Sequence, residues 1–221
     1  MNDPGLTFLD GLLWYLETRN WAFEKLTICP IGSQALDIKM YHYLYFSNLF
    51  GAVDLVCDYG KEIGEKADFE EAIRLGFGNT NDYLYGRELR NAIVHRGLDP
   101  AAAGHADNNV LFILCPSEVH DRWGKKKYSC TFKYTVQLAE CCNRIVNAGI
   151  FEFLDVHGFL NRDGPVINKE ETLEAIKNAE AMPDWAKAMA VQAFDNIDFA
   201  EMTATIAATR IEHLKDLLGH K

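Results

Sequence analysis

Arg87-Glu88-Leu89-Arg90-Asn91-Ala92-Ile93-Val94-His95-Arg96-Gly97 sets three arginines, an asparagine and a histidine near the end of one predicted helix. That helix runs from Asn81 to about Arg96, with Asn79 or Thr80 expected to cap its start. It stops at Gly97, with Pro100 just beyond; glycine after the last turn and proline soon after is a common stop pattern. At about 100° per residue, Tyr85, Leu89, Ala92 and Ile93 share one side and form a core-facing stripe. Arg87, Asn91 and His95 fall on the opposite side, and Arg90 lies on the flank. Leu84 and Val94 are apolar but share the polar side. Apolar residues opposite a core stripe point to a covered surface, and the simplest cover is a second copy of the same helix.

Outward from this stretch most of the chain reads as helix. Leu6 to about Leu26 carries a helical apolar period, broken by Cys29-Pro30-Ile31-Gly32. Ser33 is expected to cap a long, aromatic-rich second helix ending near Gly60 or Gly64. A short helix follows near Asp68–Leu75. Residues 98–131 differ: Ala101 to His105 reads as loop, while 109–115 and 128–134 read as two strands of one small hairpin across Lys125, Lys126 and Lys127. The helical period returns from Thr135 to about Leu160. Asn161-Arg162-Asp163-Gly164-Pro165 is the clearest linker, and three helices are expected after it, at 169–181, 183–194 and 199–218. The expected architecture is a mainly α bundle over 1–160, with a C-terminal helical extension over 161–221 that can pack onto the same domain.

The residue types on the polar face suit metal-free cleavage of a phosphodiester. A histidine moves protons near neutral pH, as base on a ribose 2′-hydroxyl or as acid on the leaving oxygen. An arginine clamps phosphate and stabilises the charge that builds on its oxygens. An asparagine can orient the histidine or bond the ribose. One histidine supplies one of the two proton transfers, so two chains about a twofold axis would supply both.

Arg90-Asn91-x-x-x-His95 resembles the motif of the HEPN superfamily, an arginine followed by four to six residues and a histidine, in the form with asparagine after arginine. The resemblance covers residues 6–160, of which about ten are specific. It implies a helical bundle, a homodimer with a composite site, and metal-independent ribonuclease activity of the kind found in toxin–antitoxin and abortive-infection systems. RNA substrate and an antitoxin or regulatory protein are the implied partners. Other members are non-catalytic modules that bind a partner protein or nucleotide, which is the alternative. Carried over, Arg90 and His95 are catalytic and Asn91 supporting. Gly97 stands where some toxin subfamilies have a tyrosine, which leaves the subfamily open. Arg87, Arg96 and Lys126 are candidate substrate contacts; Arg87 is otherwise expected to pair with Glu88 or Asp82.

Charge fits this reading only locally. The chain carries net −10 over its 221 residues, which opposes indiscriminate binding to a polyanion. Residues 1–80 hold 12 acids against 6 bases and 136–221 hold 14 against 8, but 81–135 hold 6 against 8. No cofactor or metal is expected: phosphate-loop and metalloprotease motifs are missing, and Cys115, His120 and Cys130 match no zinc spacing and lack a fourth ligand. The acidic start lacks a signal-peptide pattern, and the longest apolar stretch, Tyr41 to Cys57, contains His42, Ser47, Asn48 and Asp54. A reduced, cytoplasmic protein without a membrane span is expected.

Overall fold

The computed structural model describes residues 4–64, 66–78, 81–161, 169–195 and 197–219. They are mainly helical. In chain order they form α1 (Pro4–Thr27), α2 (Ala35–Glu62), α3 (Lys66–Gly76), α4 (Asp82–Arg96), β1 (Gly104–Asp107), β2 (Val110–Ile113), β3 (Val119–His120), β4 (Lys127–Tyr128), α5 (Thr135–Val156), α6 (Lys169–Asn178), α7 (Asp184–Asp195) and α8 (Phe199–Leu217). Asn79, Thr80 and most of the expected linker, 162–165, lie outside the described residues.

The second helix is the spine. Tyr45, Phe46, Leu49, Phe50, Ala52, Val53 and Val56 are buried along it, because α1, α3, α4 and α5 cover it on several sides. Its start differs from expectation. Gln34 is the N-cap, and the Ser33 hydroxyl donates instead to the Pro30 carbonyl (2.9 Å). That bond closes the Pro30–Ser33 turn, so the serine is spent before the helix begins. α4 behaves as its apolar period dictates, with Tyr85, Leu89 and Ala92 buried. Gly97 takes the left-handed conformation (φ 69°) that a side chain disfavours, and the Leu98 N–H closes on the Ala92 carbonyl (3.0 Å).

The single hairpin expected over 109–134 is two. β1 pairs with β2 through Asn108 and Asn109, both at positive φ. Asparagine tolerates that conformation, so the turn folds residues 104–107 back as a strand where loop was expected. β3 pairs with β4 across residues 121–126. The two segments expected to pair form no common strand ladder; they meet through the Leu114–Tyr134 bridge, the bond from Cys115 N–H to the Lys133 carbonyl (2.9 Å), and side chains such as Phe112 against Tyr134. At the start of α5 the Gln137 side-chain carbonyl accepts the Tyr134 N–H (3.2 Å).

α8 belongs to the same packed core as the N-terminal bundle. Leu214 and Leu218 are buried in it. The fully buried Arg19 of α1 donates to Asn147 Oδ1 (2.7 Å), twice to Asn20 Oδ1 (3.0 and 2.7 Å) and to the Leu217 carbonyl (3.4 Å). Asn20 and Asn147 also donate to the carbonyls of Leu217 and Leu218 (3.0 and 3.2 Å). The end of α8 is therefore capped by side chains of α1 and α5, with a cation at the negative end of the helix dipole. Burial among neutral partners lowers the Arg19 pKa to about 10. The ion pair Arg210–Asp10 (3.1 Å) and the hydrogen bond of His213 Nε2 with Glu17 (2.8 Å) flank the contact.

A second buried polar link makes stability depend on pH. His42 Nδ1 donates to the Ile38 carbonyl (2.7 Å), so neutral Nε2 accepts from the Thr135 hydroxyl (2.9 Å). Burial lowers the His42 pKa to about 4. The unfolded chain protonates this histidine near its ordinary value of about 6.5, so between the two values the unfolded state holds the extra proton. Stability is level above about pH 6.5 on this account and falls by roughly 3 kcal/mol as the pH drops toward about 4. Urea titrations at stepped pH check this: His42→Gln should lack that share of the fall.

Candidate functional site

α4 crosses α2 closely enough that the two share charges. Arg87 Nη2 donates to Asp54 Oδ1 (2.7 Å) and Arg90 Nη2 to Asp54 Oδ2 (2.8 Å). One carboxylate of α2 thus holds two guanidiniums of α4, one turn apart. Arg87 also donates to the Tyr83 hydroxyl (3.1 Å), lies 4.0 Å from Glu70, and sits over the rings of Phe50 and Tyr83. Burial works against its charge, but the Tyr83 hydroxyl and Asp54 outweigh this and push its pKa above the ordinary arginine range. Its partner is therefore Asp54, not Glu88 or Asp82, because its long side chain lies across the helix interface.

Glu88 serves other residues. It accepts from Asn91 Nδ2 (3.2 Å) and from Arg96 Nη2 (3.3 Å). Arg96 Nη2 also bonds the Glu88 carbonyl (3.0 Å) and the His120 carbonyl of β3 (2.8 Å). This bond fixes the β3–β4 hairpin beside the last turn of α4. Between them lies a cavity of about 480 Å³ lined by Glu88, Asn91, His95, Arg96 and Arg122. His95 is exposed on that last turn, and no hydrogen bond is formed by it among the described residues.

Arg90 opens onto a different depression. A groove of about 490 Å³ is lined by Tyr15 of α1, by Tyr43, Ser47, Gly51 and Asp54 of α2, and by Arg90. Arg90 Nε and the Ser47 hydroxyl are buried there without a hydrogen-bond partner among the described residues.

The structure therefore brings Asn91, His95 and Arg96 to one cavity, and sets Arg87 and Arg90 against Asp54 on the neighbouring face. Lys126 is exposed at the tip of the hairpin. Leu84, expected among covered residues of the polar face, packs instead against the chain's own core. Sequence reading passed over Asp54 and Arg122. Asp54 had a signal, since it is the one charged carboxylate in the apolar stretch from Tyr41 to Cys57. Arg122 had none, because only the hairpin fold carries it to α4.

All six cysteines are free. Among the described residues no three His, Cys, Asp or Glu side chains converge as a metal site, and no helix is long and apolar enough to cross a membrane.

No family model matches the chain, and no solved structure matches it. Among curated proteins, the probable calcium-binding protein CML44 of Arabidopsis thaliana is 32% identical over 111 residues, which cover 46% of this chain. The match spans 66% of that protein, just under two thirds of its length.

Proposed function

We propose that this chain is a metal-independent ribonuclease of the HEPN type that works as a homodimer. One observation carries the reading: Asn91, His95 and Arg96 line a single open cavity at the end of α4, joined by Arg122 from the hairpin. In this reading His95 accepts the proton of a ribose 2′-hydroxyl. The 2′-oxygen attacks the adjacent phosphorus, and the 5′-oxygen leaves with a proton from His95 of the second copy. The products are a 2′,3′-cyclic phosphate and a 5′-hydroxyl. Arg96 and Arg122 supply guanidiniums for the phosphate oxygens. Arg87 and Arg90 share the Asp54 carboxylate, with Glu70 4.0 Å from Arg87, and lie on the neighbouring face.

The second copy would sit on α1 and α2. Tyr43 lines the Arg90 groove and is exposed, and Trp14 and Met40 are exposed on the same two helices, apolar surface of the kind a partner covers. A cytoplasmic role in defence, with an antitoxin or regulatory protein as partner, belongs to the same proposal.

The test is direct. Purified protein in EDTA should cleave an unstructured RNA, leave 2′,3′-cyclic phosphate ends, and run as a dimer in light scattering. Added calcium should leave the rate unchanged. Intact RNA in EDTA, or cleavage only with calcium, overturns the reading. A second reading, a non-catalytic dimeric module that binds a protein or nucleotide, draws on the pairing of Arg90 with Asp54, which occupies the expected phosphate clamp. It predicts a dimer that leaves RNA intact.

A further inference from the structure

The tip of the β3–β4 hairpin carries features that cleavage chemistry does not use. Trp123 is 74% exposed, although an indole is among the side chains that gain most from burial. It is held out by a well-bonded turn. Asp121 Oδ1 accepts the backbone N–H of Lys125 (2.7 Å) and of Lys126 (3.2 Å). The backbone closes twice more, from Asp121 N–H to the Lys126 carbonyl and from Gly124 N–H to the Asp121 carbonyl, both 3.0 Å. Gly124 takes a left-handed φ of 68°. The root of the hairpin is pinned to α4 by the bond from Arg96 to the His120 carbonyl.

The charges at the tip are uneven. Lys127 and His120 are both bound to Glu118 (2.9 and 3.1 Å). The Asp121 carboxylate is engaged by backbone N–H groups. Arg122 and Lys125 have no carboxylate partner among the described residues, Lys126 is set against the Asp121 carboxylate alone, and Arg122 also lines the cavity of His95. Three cations against one carboxylate, and one bare aromatic face, thus share a well-bonded turn whose Arg122 reaches the cavity, on a chain that is otherwise acidic.

We infer that this hairpin tip binds an unpaired stretch of polynucleotide, with Trp123 stacking on a base and Arg122, Lys125 and Lys126 holding the phosphates on either side. An aromatic platform flanked by cations is the arrangement that grips single strands, because every base has a face to stack while the backbone supplies the charge. A duplex keeps its bases stacked on each other and offers the indole no free face. An acidic protein surface would satisfy the cations but would leave the indole bare. The inference extends the ribonuclease reading by naming single-stranded RNA as the substrate form, but binding at the hairpin does not require cleavage.

The experiment measures binding of a fluorescent, unstructured 12-nucleotide RNA in EDTA, with every variant built on His95→Ala so that the RNA stays intact. Trp123→Ala should weaken binding about 5- to 100-fold, with Trp123→Phe retaining most of it. Lys125→Gln with Lys126→Gln should weaken binding and flatten its dependence on salt by a log–log slope of about 1 to 1.4. The same sequence as a duplex should bind more weakly. Unchanged binding in Trp123→Ala, or equal affinity for the duplex, overturns the inference. So does a Trp123-dependent contact with protein and none with RNA. RNA bound through Trp123 but left intact by the parent chain would support the inference while removing the ribonuclease reading. Cleavage by the parent, with an unchanged KM when Trp123→Ala is made with His95 kept, would do the reverse.

Discussion

His95→Ala is expected to lower RNA cleavage by about 10²- to 10⁴-fold, the usual worth of a positioned proton-transfer group. The fold should survive the change. The side chain is exposed on the last turn of α4 and holds no hydrogen bond among the described residues. Its structural worth is limited to a favourable charge at a helix C-terminus, about 0.3–1 kcal/mol when protonated. Thermal midpoint and dimer mass should therefore match the parent while the cleavage rate collapses. Arg90→Ala is a less clean probe, because it also removes one of the two guanidiniums on Asp54. Arg96→Ala would free the hairpin as well as empty part of the cavity. A His95→Ala protein that cleaves at the parent rate places the chemistry elsewhere.

Arg19→Met is expected to cost roughly 2–4 kcal/mol of stability. Methionine fills much of the same volume but donates nothing. Asn147 Oδ1 and Asn20 Oδ1 lose their strongest donors, and the Leu217 carbonyl keeps only Asn20. Buried acceptors without donors carry the full cost of lost hydration. Urea unfolding should show a lower midpoint with an unchanged slope. The loss should also be local. Trypsin should reach Arg210 and Lys215 of α8 sooner than in the parent, because Arg19 holds Asn20 and Asn147, the two side chains that cap the end of that helix. A variant as stable as the parent would mean that α8 is held without help from the Arg19 bonds.

Much of the fold was legible because the apolar residues repeat at the helical period. α4 starts one residue after its expected position and ends where Gly97 and Pro100 indicate. The hairpins were misread because strand propensity in 109–115 and 128–134 says nothing about partners. The partner was decided by Asn108 and Asn109, two residues able to turn the chain at positive φ. The site was legible to the extent that it lies on one helix. Asn91 and His95, four residues apart, had to share a face, and they share a cavity.

What required more than one helix could not be read in that way. The sequence by itself determined a mainly helical chain, an acidic surface with a non-acidic middle, and the placing of Asn91 and His95 together, since each follows from local period or plain counting. The tertiary structure alone decided that Asp54 holds Arg87 and Arg90, that Arg122 lines the cavity of the histidine, and that α8 ends against Arg19. Each of these joins residues 27 to 198 positions apart. Such contacts are set by how the helices cross and by which buried polar groups must find partners, and no local pattern encodes that pairing.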